Sequence, residues 1–145
     1  GLRRYEISAF AKKSKYSRHN VGYWTARPFL GLGPSAFSYW DKKRYRNTAN
    51  LAAYAQALST GFSPIDFEEE LLYPDNINEL LAVQLRLVDG VDLPAFEARH
   101  GPLPATTLAN LLEATNKGWL TPSPSHAKLT PDGLLFYDSC AALII

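Results

Sequence analysis

His19 is the residue whose type and surroundings say most about chemistry. It stands in Arg18-His19-Asn20-Val21-Gly22-Tyr23-Trp24, a basic, aromatic stretch within residues 12–28. That segment shows no sustained apolar period and reads as a long loop ending at Pro28. An imidazole nitrogen binds haem iron axially, so His19 is a candidate metal ligand. Tyr23 and Trp24 are the kind of side chains that pack on a flat macrocycle, and Arg18 or Arg27 can meet its carboxylates. The alternative is a structural loop histidine bonded to backbone.

Other residue groups carry weaker signals. Gly31-Leu32-Gly33-Pro34-Ser35-Ala36 has the spacing of a dinucleotide fingerprint, GxGxxA, which requires a helix opening at the glycines. Pro34 and the aromatic run Phe37–Trp40 point to a strand instead. Gly31 and Gly33 are therefore expected to let the backbone approach a neighbour or a bound cofactor closely. Lys12, Lys13, Lys15, Tyr16 and Arg18 have the composition of a phosphate-contacting arm or of a solvated loop, and Lys42-Lys43-Arg44 reads the same way. Glu68-Glu69-Glu70 is an acidic patch, a charged surface or a helix start. Cys140, His126 and Asp138 are the residue types of a thiol hydrolase, but Cys140 falls in an apolar helix, the setting of a buried inert thiol.

The elements that must position these residues change along the chain. In Arg4–Ala9, Tyr5, Ile7 and Ala9 alternate with polar residues as in a half-buried strand. Phe29–Gly33 reads as a short strand. Ser38-Tyr39-Trp40 and Arg44-Tyr45-Arg46 flank Asp41-Lys42-Lys43 as a hairpin. From residue 50 the pattern is helical. Asn50 caps a helix through Leu58, ended by Gly61, and Asn76 or Asn78 caps the next, with Gly90 at its end. A short helix over Pro94–Arg99 follows. Thr106 or Thr107 then caps another that closes at Gly118 in the left-handed conformation. Trp119–Thr121 and Ala127–Thr130 form a small hairpin, and Thr130-Pro131 opens a last helix. The fold class is α+β: a β-rich segment over residues 1–50, then a mostly helical domain over 51–145 with a winged-helix-like end.

Composition narrows the function classes. The 145 residues are 46% hydrophobic and 20% charged, values of an ordinary globular protein. The longest apolar runs are about five or six residues, far short of the roughly twenty of a membrane helix. A single cysteine excludes an internal disulfide and a cysteine-built metal cluster, and points to a reducing, cytoplasmic setting. The absence of methionine suggests a processed chain or the interior of a longer one. Net charge is +1, but residues 1–50 hold eleven Lys/Arg against two acids, and residues 51–145 four against twelve. That split suggests an anion-binding N-terminal part or a basic face docked on an acidic one. A nucleic-acid-binding winged helix with a basic N-terminal arm is the rival reading. However, Thr107–Asn116 carries no Lys or Arg, and a recognition helix must neutralise phosphates. The wing therefore reads as a protein-packing module that takes no nucleic acid.

Taken together, Tyr5–Ala11, Ser17-Arg18-His19-Asn20, Tyr23-Trp24 and Leu30–Ser38 resemble one family. It is the radical S-adenosylmethionine (SAM) proteins called oxygen-independent coproporphyrinogen III oxidase-like, which include haem chaperones. Arg44–Asn47, Leu85–Leu93 and Leu129-Thr130-Pro131-Asp132-Gly133 are similar to the C-terminal half of that family. The resemblance implies a longer protein whose N-terminal partial β/α barrel holds a four-iron cluster on a CxxxCxxC loop and binds SAM. Residues 1–50 would then be its last barrel strands and their connection to the C-terminal domain. It also implies haem binding through the HNxxYW motif of the chaperone branch, which maps onto His19, Asn20, Tyr23 and Trp24. The implied partners are a tetrapyrrole, the protein's own barrel and haem-accepting proteins. This chain departs from the family at Ala9, where Asn is usual, and at Ser35-Ala36-Phe37, where GAH is usual. The expected activity of these residues alone is none, since the cluster ligands are not among them.

Overall fold

The computed structural model describes all 145 residues. By contacts the chain forms two compact units, Gly1–Ala26 with Tyr73–Ile145, and Arg27–Leu72.

The first unit begins with β1 (Arg3–Glu6) and β2 (Ala9–Ala11), an antiparallel pair with an irregularity between Arg4 and Glu6. β1 also lies against the segment after α3 (Asp75–Gln84). Glu6 bridges Leu87, Ile7 N–H donates to the Arg86 carbonyl at 3.0 Å, and Val88 N–H donates to the Tyr5 carbonyl at 3.1 Å. The stretch 12–28 is not all loop: α1 covers Arg18–Trp24. Ser17 caps it, its Oγ accepting from the Asn20 N–H at 3.3 Å. Gly22 in the middle of α1 is buried, and a seven-residue helix with an interior glycine gives no periodicity to read.

Two helix starts also differ from expectation. α3 begins at Asp75 after Pro74 without a side-chain cap, and Asn78 is buried inside it. α5 (Ala105–Asn116) begins after Pro104 rather than at a capping threonine. The Thr107 hydroxyl instead donates to Asn78 Oδ1 at 2.5 Å, both residues being buried. This bond joins the two helices and satisfies a polar pair that would otherwise be costly in the interior.

Between α3 and α5, Val91–Asp92 pairs antiparallel with His126–Ala127, and α4 (Leu93–His100) is capped by the Asp92 carboxylate on Ala95 N–H at 2.8 Å. Trp119–Thr121 lies against Lys128–Thr130 through the Leu120–Leu129 bridge and two backbone bonds of 2.9 Å. Gly118 has φ +77°, the left-handed end expected of α5. Thr130 caps α6 (Pro131–Leu135), and α7 (Tyr137–Ile144) follows it, so the last helix is two. Leu81, Leu85, Val91, Phe96, Leu120 and Ile144 centre the one buried apolar cluster, into which Cys140 also packs.

The second unit is a three-stranded antiparallel sheet with one helix, α2 (Leu51–Ser59). Phe37–Trp40 and Lys43–Asn47 form the expected hairpin, with Asp41 and Lys42 both at positive φ (52° and 62°), the two-residue turn that matches strand twist. Its third strand is Ile65–Glu70. The acidic run is thus a strand and neither a helix start nor a bare patch. Lys43 Nζ pairs with Glu68 at 2.8 Å, Arg44 with Glu69, and Arg46 Nε with Asp66 at 3.1 Å. Lys43 and Arg44 therefore belong to this ladder, while Lys42 stays exposed in the turn. Opposite charges on facing strands favour the pairing that hydrophobicity does not announce. Asn50 caps α2, accepting from Ala53 N–H at 3.0 Å.

Candidate functional site on the first helix

α1 sets the four motif residues on two sides. At 100° per residue, His19 and Tyr23 lie about 40° apart, while Trp24 lies about 140° from His19. His19 is exposed, its ring edge-on to Tyr23 with centroids 4.6 Å apart and planes at 74°. No hydrogen bond within the chain reaches either His19 ring nitrogen. Lys12, Lys13, Lys15 and Arg18, which precede it, are all exposed. The Tyr16 ring stacks on Tyr5 at 4.7 Å with planes 10° apart, holding the approach to the helix against β1.

Asn20 and Trp24 face the other way and are partly buried. The Trp24 ring lies under the Arg86 guanidinium, with Cζ 4.4 Å from its centroid, and Tyr137 covers the same guanidinium at 5.1 Å. Arg86 Nη2 is 3.7 Å from Glu6 Oε2. Glu6 is almost wholly buried, and its other oxygen accepts from the Ser8 N–H (3.0 Å) and hydroxyl (2.9 Å). Tyr137 is fixed in turn, donating to the Ala82 carbonyl at 3.0 Å. Burial raises the Tyr137 pKa, and the Arg86 charge pulls against that rise. Arg86, Glu6 and Tyr137 carry no signal in sequence that would join them to His19. Their partnership is a product of the β1 bridge to Leu87.

Gly31 and Gly33 lie in the second unit. A Cβ at Gly31 would meet the Phe37 carbonyl oxygen at 2.1 Å, and the Gly31 N–H donates to Ser38 Oγ at 2.9 Å. Gly33 has φ +100°, and its carbonyl accepts from Asn47 Nδ2 at 3.0 Å. The close approach at Gly31 is to the chain's own strand, and no helix opens at these glycines.

A four-iron cluster is held by thiolates, and these residues do not fit one. Cys140 is the single cysteine, fully buried in α7, and burial pushes its thiol from 9.0 to about 11. No group of three or more His, Cys, Asp or Glu side chains gathers to hold a metal. No helix is long and apolar enough to cross a membrane.

Residues 73–136 match the family described as the HemN C-terminal domain. The chain matches a C-terminal portion of a HemN-like radical SAM protein. The chain is 29% identical to the heme chaperone HemW of Bacillus subtilis over 136 residues, covering 93% of this chain and 36% of that protein. It is 31% identical to the oxygen-independent coproporphyrinogen III oxidase of Cereibacter sphaeroides over 117 residues, covering 77% and 25%. It spans about a third of the length of the curated relatives it matches. Among solved structures, coproporphyrinogen III oxidase (HemN) from Escherichia coli, a radical SAM enzyme, superposes with a TM-score of 0.66 at 20% identity, over 81% of this chain and 28% of that one. That likeness is one of fold.

Proposed function

We propose that this chain binds haem as cargo through α1, with His19 as the axial ligand and Tyr23 beside it. The observation that carries this reading is His19 itself: exposed, without a hydrogen-bond partner in the chain, and steadied on one edge by Tyr23. His19 thus differs from His126, whose Nε2 lies 2.8 Å from the Asp89 carbonyl, and from His100, whose ring packs on Phe96 at 4.7 Å. The exposed Lys12, Lys13, Lys15 and Arg18 supply cations for haem carboxylates. Asn20 lends its N–H to the Ser17 cap and so helps form the helix.

The chaperone name of the Bacillus subtilis relative agrees with a site that holds haem and does no chemistry on it. In the whole protein, a four-iron cluster and SAM would be held outside these residues, in a cytoplasmic protein that hands haem to an acceptor. Titrating haemin into the chain and its His19→Ala variant, followed by absorbance, tests this. Saturable one-to-one binding with a Soret band shifted in the parent and not in the variant is expected. Identical spectra would reject His19 as ligand.

A further inference from the structure

We propose that Arg86 is the positioning residue of the α1 site, and that Trp24 is its anchor and not a wall of the haem site. This rests on the reading of α1 given above. Seven residues are too few for a helix to persist in water by itself, so α1 must be held by what it docks on. Its inner side docks on α3 and, through Trp24, on Arg86. The guanidinium has Trp24 on one ring face at 4.4 Å and Tyr137 at 5.1 Å. Its charge is met by Glu6, buried and 3.7 Å away. Its main-chain carbonyl is bonded by Ile7 at 3.0 Å. Strand β1, helix α7 and the segment after α3 thus converge on one side chain, and that side chain meets α1 at Trp24.

Helix geometry adds the second argument. With Trp24 about 140° around the helix from His19, one flat ligand ligated by His19 cannot also lie on the indole face. Trp24 Nε1 and Arg86 Nε are both buried without a hydrogen-bond partner, and so is Glu6 Oε2. The stack is therefore held by the face of the indole and by charge, and not by the indole N–H. This predicts that phenylalanine substitutes for Trp24, whereas alanine does not. Arg86 acts on His19 without touching the ligand.

The test is haemin binding to the full 145-residue chain together with hydrogen exchange at α1. Arg86→Gln and Trp24→Ala should each weaken haemin binding about tenfold, with loss of the His19-dependent Soret shift. The double variant should be no weaker than the worse single one, because the two residues act as a unit. Arg86→Lys and Trp24→Phe, which keep a cation over a ring, should bind within about threefold of the parent. Without ligand, the Val21 and Thr25 amides should exchange faster in Arg86→Gln, while those of α5 should not change. Glu6→Gln keeps the buried shape and removes the charge, and carries the same expectation should Arg86→Gln fail to fold.

Weakening by Trp24→Ala alone, with Arg86→Gln and Glu6→Gln unaffected, would make Trp24 a ligand contact and overturn the proposal. So would full-strength binding in all of these variants while His19→Ala loses it. If His19→Ala binds haemin normally, the haem reading fails on its own account. The anchor then stands or falls on whether Val21 and Thr25 exchange faster in Arg86→Gln.

Discussion

Replacing Gly133 by alanine should destabilise this chain, although alanine is the better helix former. Gly133 is in α6, where Ala would ordinarily gain about 1 kcal/mol over Gly. Here a Cβ would lie 2.0 Å from the carbonyl oxygen of Trp119, where 3.4 Å begins ordinary contact. The two must part by about 1.4 Å, and the obstacle is backbone that cannot rotate away. That same carbonyl accepts the Thr130 N–H at 2.9 Å, so moving it also strains the bond that joins the helix start to the Trp119 strand. Overpacking costs about 1–3 kcal/mol, and a weakened hydrogen bond about 1 more. Set against the propensity gain, the net loss is about 1–3 kcal/mol. For a chain of this size that lowers Tm by roughly 3–9 °C. Thermal unfolding followed by circular dichroism, with a urea series to confirm an unchanged m-value, measures it. A Gly133→Ala chain as stable as the parent, or more so, would refute the reasoning. The position is the glycine of Leu129-Thr130-Pro131-Asp132-Gly133, so the same contact gives that motif a physical reason.

Thr107→Val leaves the buried Asn78 Oδ1 without its donor and should cost about 1–3 kcal/mol in urea unfolding, while Thr107→Val with Asn78→Leu recovers at least half of that. An additive double variant would argue against the bond. Alkaline pH should destabilise the chain through Cys140. Its folded pKa of about 11 lies above the ordinary 9.0, so the unfolded chain loses that proton first. The contribution is full below pH 9 and is lost as pH rises towards 11, by up to about 2–3 kcal/mol. Tyr137, also raised by burial, adds to the decline with the same sign. Cys140→Ala should therefore flatten the slope between pH 9 and 11 without abolishing it, and an unchanged slope would contradict the burial argument.

Much of the local structure was legible because it is locally encoded. Asn50, Gly118 and Thr130-Pro131 mark helix ends through their own side chains or φ angles, and the Trp40–Lys43 turn follows from its neighbours. What was not legible depends on partners far away in the chain. α1 has no apolar stripe and is held through Trp24 on Arg86, 62 positions on. The strand Ile65–Glu70 looks like a charged surface until the cations of Lys43–Asn47 lie beside it. Asn78 and Thr107 have the composition of caps, but each meets the other across two helices. At the candidate site, the nearness of His19 and Tyr23 follows from their i, i+4 spacing once the motif is a helix. The opposite facing of Trp24 follows once the stretch is a helix, and the Arg86 cluster could not be read from spacing at all.

The most direct test of the central claim is to identify the nitrogen on the iron. The chain has three histidines, His19, His100 and His126. Hyperfine spectroscopy of the haemin complex, made with protein carrying ¹⁵N only in histidine, reports whether one of them is bound. A ¹⁵N coupling present in the parent and absent in His19→Ala is the predicted result. A coupling that persists in His19→Ala would place the iron on another histidine, and no coupling in either protein would mean that no histidine of this chain ligates haem.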